Sequence, residues 1–179
     1  MEDFHKFIDL HRKQRHDFMN DVQVIYGYLQ LKREEETKKY IDKVIEQNKT
    51  ISKVYALGDK YLGFFTEQIL KKLWEREITV ELDIEIESFS KEVFLYEYNK
   101  KSILVNNIFS EIENNKYKFV YIYIFEDEMG ESLLIANNES SVNELDWMDE
   151  WEEIDSTLND VKIHKYILNN TFACRLTFI

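Results

Sequence analysis

The segment Gln14-Arg15-His16-Asp17-Phe18-Met19-Asn20 carries a group suited to taking up and releasing a phosphoryl unit. Imidazole is the side chain whose ordinary pKa, about 6.5, leaves it neutral and nucleophilic near pH 7. On a helix, residues four apart share a face, so His16 and Asn20 lie one turn apart with Asp17 beside them. A carboxylate at Asp17 can hold the proton of one ring nitrogen and leave the other free to attack, and Asn20 offers an auxiliary amide. Positioning supplies most of the catalysis in phosphoryl transfer, so the ring must be open to a whole partner domain. The spacing alone also fits an ordinary solvated helix position. The surrounding elements therefore matter.

Residues 3–32 read as one long helix, with Phe4, Ile8, His11, Arg15, Phe18, Val22, Ile25 and Leu29 at alternating spacings of four and three. That heptad rhythm marks a helix packed lengthwise against others, and it leaves His16 on the wet flank of the seam. Lys32–Glu36 reads as a turn, and a second helix follows over about 36–57. Such a hairpin cannot bury its apolar faces alone, so pairing with a second copy into a four-helix bundle is expected. Beyond Gly58 and Gly63 the pattern predicts a helix at 62–76, an alternating strand at 78–86 and a helix at 102–114. A hairpin turns around 127–130, a short acidic helix covers 143–156, residues 162–169 read as helical, and a strand closes the chain at 172–178. The fold class is α+β: a helical hairpin at 1–60 and a small α/β sandwich at 61–179.

With 44% hydrophobic residues in 179, the chain can bury a core, and no run reaches the length needed to cross a bilayer. The opening Met-Glu-Asp-Phe-His-Lys-Phe is unlike a secretory leader. A single cysteine, Cys174, excludes an internal disulfide, and a cytoplasmic location is expected. Residues 1–76 hold 15 basic and 13 acidic groups, whereas the rest holds 8 and 22. So acidic a second half argues against nucleic acid or an anionic membrane as partner. His5, His11 and His164 read as surface or seam residues and Cys174 as core. Trp147 and Trp151 read as packing the acidic segment down. No His, Cys, Asp or Glu group has zinc-ligand spacing.

The stretch from Gln14 to Leu31, with its Arg15-His16-Asp17 core, Asn20 at His plus four and the run ending Gly27-Tyr-Leu29, resembles the phosphoacceptor helix of the citrate and dicarboxylate sensor histidine kinases. It equally resembles that of their relatives, the sporulation initiation phosphotransferase B family. The resemblance implies that His16 is the phosphorylated residue, Asp17 its orienting acid and Asn20 its auxiliary amide. Residues 101–115 loosely resemble the kinases' Asn-rich helix, within a sandwich resembling a degenerate ATPase domain. Glycine-rich boxes are missing, since no glycine follows Gly130, and residues 139–160 carry nine acids without Lys or Arg. The resemblance therefore implies a phosphotransferase rather than an autokinase. It would form a homodimer, take a phosphoryl group from one response-regulator receiver domain onto His16 and pass it to another, in sporulation initiation. The receiver would supply the Mg²⁺, leaving the chain with no cofactor of its own. A divergent autokinase and a non-catalytic dimeric inhibitor of two-component signalling are the alternatives.

Overall fold

The heptad rhythm and the absence of proline produce a long first helix, α1 (Glu2–Gln30). In the computed structural model, residues 2–168 and 170–179 are described, without the side chains at positions 2–4, 6, 7, 144 and 146–149. The seam position expected at Phe4 and the side chains of Glu144, Asp146, Trp147 and Asp149 thus lie outside the described residues. The helix α1 stops without a glycine. Lys32 takes the left-handed conformation at φ 56, and the amides of Lys32 and Arg33 bond back to the carbonyls of Leu29 and Tyr28 at 3.0 and 2.9 Å. This closure satisfies carbonyls that the helix end would otherwise orphan. Next, α2 (Glu34–Ala56) opens on Glu34, Glu35 and Glu36, whose charges favour the positive end of the helix dipole.

Two compact units result, residues 1–50 and 51–179. The division falls inside α2, short of residue 60, because Val54 and Leu57 are buried in the second unit's core. That unit contains α3 (Lys60–Glu75), β1 (Thr79–Ile84), α4 (Tyr98–Asn114), β2 (Phe119–Asp127) and β3 (Gly130–Ala136). It continues with a 3-10 helix (Glu139–Glu150), β4 (Glu152–Ile154), β5 (Val161–Leu168) and β6 (Thr171–Phe178). The six strands form one sheet in the order β1-β2-β3-β6-β5-β4, with β1 and β2 parallel and every other pair antiparallel. The fold is α+β, and the described residues form four α-helices and a six-stranded sheet.

Leu62, Phe65, Ile69, Leu70 and Leu73 recur on one face of α3, and Val105, Ile108, Phe109 and Ile112 on one face of α4. Both faces join Val120, Ile122, Ile124, Ile135, Cys174 and Leu176 in the main core. Burial of the Cys174 thiol pushes its pKa up to about 12, as suits a core residue. A smaller cluster covers the other side of the sheet, where Tyr121, Tyr123, Phe125 and Leu134 lie with Tyr166, and Trp151 stacks on Tyr166 at 5.5 Å.

Three expectations are corrected. Residues 162–168 of the helix expected at 162–169 are strand, residue 169 lying outside the described residues: β5 pairs with β6 along its length, burying Val161, Ile163 and Tyr166. The acidic segment is a 3-10 helix ending at Glu150 and then a short strand, not one helix over 143–156. His164 is no surface residue. It is 8% exposed, opposite Arg175 on β6 and Glu153 on β4, with Nδ1 lacking a hydrogen-bond partner.

Desolvation is the largest reason that the pKa of His164 falls below its ordinary value; Arg175 and Lys162 push the same way and Glu153 opposes. The unfolded chain therefore takes up the proton first. Stability from this site is complete above an ordinary histidine pKa and declines as pH falls through and below it. Urea midpoints measured from pH 7.5 to 5.5 should fall more steeply in the wild type than in His164→Gln; equal slopes would show that His164 is not the titrating group.

Asp59 organises the start of the second unit. It is 1% exposed; one carboxylate oxygen accepts from the amides of Tyr61 and Leu62 at 2.9 Å, capping α3, and the other accepts from Phe94 at 2.8 Å. Asp59→Ala removes the cap and strands a buried amide, so a loss of about 2–4 kcal/mol is expected in denaturant unfolding. A change below about 0.5 kcal/mol would mean that water replaces the carboxylate freely.

Candidate functional site

His16 sits near the middle of α1, where the helix carries its side chain outward: 73% of it is exposed, against 38% for Asp17. The Asn20 amide, one turn on, brings Nδ2 to 3.1 Å from His16 Nδ1. Asp17 Oδ1 lies 3.7 Å from the same ring nitrogen, beyond hydrogen-bond range though close enough for attraction to a protonated ring. The structure thus brings all three residues together and places Asn20, rather than Asp17, in contact with the ring. Helix geometry explains the order, since a neighbour at plus four stands above the ring whereas a neighbour at plus one is turned about 100° away.

The contact leaves Nε2 as the open nitrogen. The two ends of an amide are isosteric, so Asn20 can donate to an unprotonated Nδ1 or, turned over, accept from Nδ1–H. In the second arrangement the lone pair is on Nε2, facing solvent, as an attack on phosphorus requires. Arg15 is exposed one residue earlier.

Asp21, which sequence reasoning did not single out, holds α1 to α2: Tyr40 Oη donates to its Oδ1 at 2.7 Å, and the Tyr28 and Tyr40 rings meet edge-on at 6.3 Å. Burial first, then the bond to Asp21, pushes the Tyr40 pKa up to about 12, so the phenol stays a donor. The signal lay in Tyr40 on the inner side of α2, but its partner follows only from the register of two helices.

With that geometry in view, residues 1–57 match the family model of the sensor kinase SpoOB-type, alpha-helical domain. Over those residues the hairpin is similar to a SpoOB-type domain. No curated protein matches the chain. A SpoOB-type domain indicates a kinase-like or phosphotransferase-like protein of two-component signalling, a family setting that suggests a dimer with signalling partners. Among the described residues, no helix is long and apolar enough to cross a membrane.

In the second unit, the residues resembling an Asn-rich helix fall on α4. Asn106 and Ser110 border a groove between α3 and α4 of about 210 Å³, opposite Lys72 and Arg76. An ion pair from Arg76 to Glu113 spans it. Lys101 at the start of the same helix is buried, its ammonium donating to the Val93 carbonyl at 2.6 Å and to Asp160 at 2.5 Å. Sequence reasoning left Lys101 without a role. Its burial makes it a structural tie.

Proposed function

We propose that the chain is a phosphorelay phosphotransferase: His16 takes a phosphoryl group from the aspartyl phosphate of one receiver domain and yields it to the aspartate of another. The carrying observation is the exposed His16 ring, held at Nδ1 by Asn20 within a hairpin similar to a SpoOB-type domain. The Nε2 lone pair forms the N–P bond as the P–O bond to the receiver's aspartate breaks, and the electron pair leaves on that carboxylate. Asn20 keeps Nδ1 oriented, and Asp17 offsets the positive charge that develops on the ring. Mg²⁺ and the acceptor carboxylate come with the receiver. A place in sporulation initiation and a cytoplasmic location belong to this reading, and so does a second unit of ATPase-like descent that works without nucleotide. The test mixes the protein with a phosphorylated receiver and looks for acid-labile, base-stable label at His16. Label that stays on the receiver would reject the relay.

The working form in this reading is a homodimer, the two hairpins making a four-helix bundle. Phe18 is 65% exposed in the single chain, and Val22 and Leu29 on the same seam are exposed with it, as are Ile41 and Ile45 of α2. Covering a large apolar side chain is worth about 1.5–3 kcal/mol, so these residues together favour association. Sedimentation at micromolar concentration should give a dimer; a monomer there would defeat the bundle.

A further inference from the structure

We infer that Gly27 is a positioning residue for phosphoryl transfer: its bare backbone, on the strip of α1 that carries His16, lets the incoming receiver domain approach the helix closely. The inference rests on the reading of His16 given above. Three of the chain's four glycines answer constraints inside the fold. Gly58 and Gly130 adopt φ +86 and +118, which side chains rarely tolerate, and a Cβ on Gly63 would fall 2.7 Å from Tyr55 Cδ1. Gly27 answers none. It lies within α1 outside the positive-φ residues, and a Cβ there would meet nothing within 4 Å. Glycine in a helix costs about 1 kcal/mol relative to alanine, and no contact among the described residues requires the missing side chain. The remaining use of a missing side chain is the close approach of another body.

The helix phase says which body. At about 100° per residue, His16, Asn20, Gln23 and Gly27 fall within roughly 60° of arc, and Gly27 stands about 16 Å along the axis from His16. The Phe18, Val22, Ile25 and Leu29 seam is centred roughly 160° away, so a second hairpin covering it does not cover Gly27. The occupant of the strip is the protein that brings phosphorus to His16. Its centre, an aspartyl phosphate beside further carboxylates, is anionic, and Arg12 and Lys13, within about 60° of His16 around the helix, are basic.

The experiment compares wild type with Gly27→Ala and Gly27→Leu in the full chain. Phosphoramidate, a donor too small to need docking, should label His16 equally in all three, and the melting temperature of Gly27→Ala should match or exceed that of wild type. Transfer from a phosphorylated receiver domain that labels the wild type should fall about tenfold for Ala and further for Leu, chiefly through KM. Unchanged transfer in both variants overturns the inference and leaves the role of His16 standing, as does a loss confined to kcat. A lower melting temperature with weaker phosphoramidate labelling would make Gly27 structural and overturn it too. A wild type that phosphoramidate labels but no receiver does would defeat the relay reading and this inference with it.

Discussion

Replacing His16 with Gln should abolish phosphoryl transfer in both directions while leaving folding and association intact. The ring is 73% exposed and hydrogen-bonds to Asn20, itself exposed, so no buried contact among the described residues is lost. Gln is a good helix former and keeps a polar side chain on α1. What disappears is the nucleophile, and docking alone provides no substitute for a phosphoryl acceptor. Asp17→Asn should be milder, because Asp17 stands 3.7 Å from Nδ1 and removes only a favourable charge. Asn20→Ala should act through ring orientation, lowering the rate of label uptake without preventing it. Circular dichroism, sedimentation and label transfer measured on one preparation separate these effects. Should His16→Gln still carry label between two receivers, another residue is the acceptor. Should it unfold, His16 is structural.

The largest stability effect is expected at Arg175, whose side chain is wholly buried on the smaller cluster's side of the sheet. Its guanidinium donates to Ser132 at 2.8 and 3.1 Å, to Thr177 at 3.0 Å and to Asp127 at 2.6 Å, and lies 4.9 Å from the centre of the Phe125 ring. Burial works against the charge of Asp127, yet hydrogen bonds from Arg175 and from the Met129 and Gly130 amides hold its carboxyl below the usual range. Arg175→Ala leaves a cavity and strips the buried Ser132 of its charged donor, so a loss of about 3–5 kcal/mol is expected. That is a large share of a total near 5–15 kcal/mol. Arg175→Lys keeps the charge but loses the forked geometry and should fall between the two. Guanidinium unfolding is the measurement, and a loss under about 1 kcal/mol for Ala would show that the network adds nothing net. His16 labelling by phosphoramidate should persist in Arg175→Ala wherever the hairpin remains folded.

The helical hairpin and its candidate site were legible because their signals are local. A seam recurring every three or four residues defines a helix and its inner face, and His16, Asp17 and Asn20 lie within a turn or so of one another. The α3 stripe, the helix at 102–114, the alternating β1 strand and the turn at 127–130 were readable for the same reason. Pairing was not. Val161-Lys-Ile-His-Lys-Tyr166 suits either a helix or a strand, and only β6, joined along its whole length, decides for the strand. That same pairing buries His164 beside Arg175, which no neighbour in sequence announces. The parallel match of β1 to β2 joins segments separated by α4, and Asp59 reaches Phe94 across 35 residues. At the site, sequence placed Asp17 and Asn20 near His16, but side-chain geometry put the amide rather than the carboxylate against Nδ1. Periodicity along the chain determined which faces turn inward. Contacts between distant segments, whose free energy exists only once the chain has closed on itself, decided which strands meet and which charges are buried.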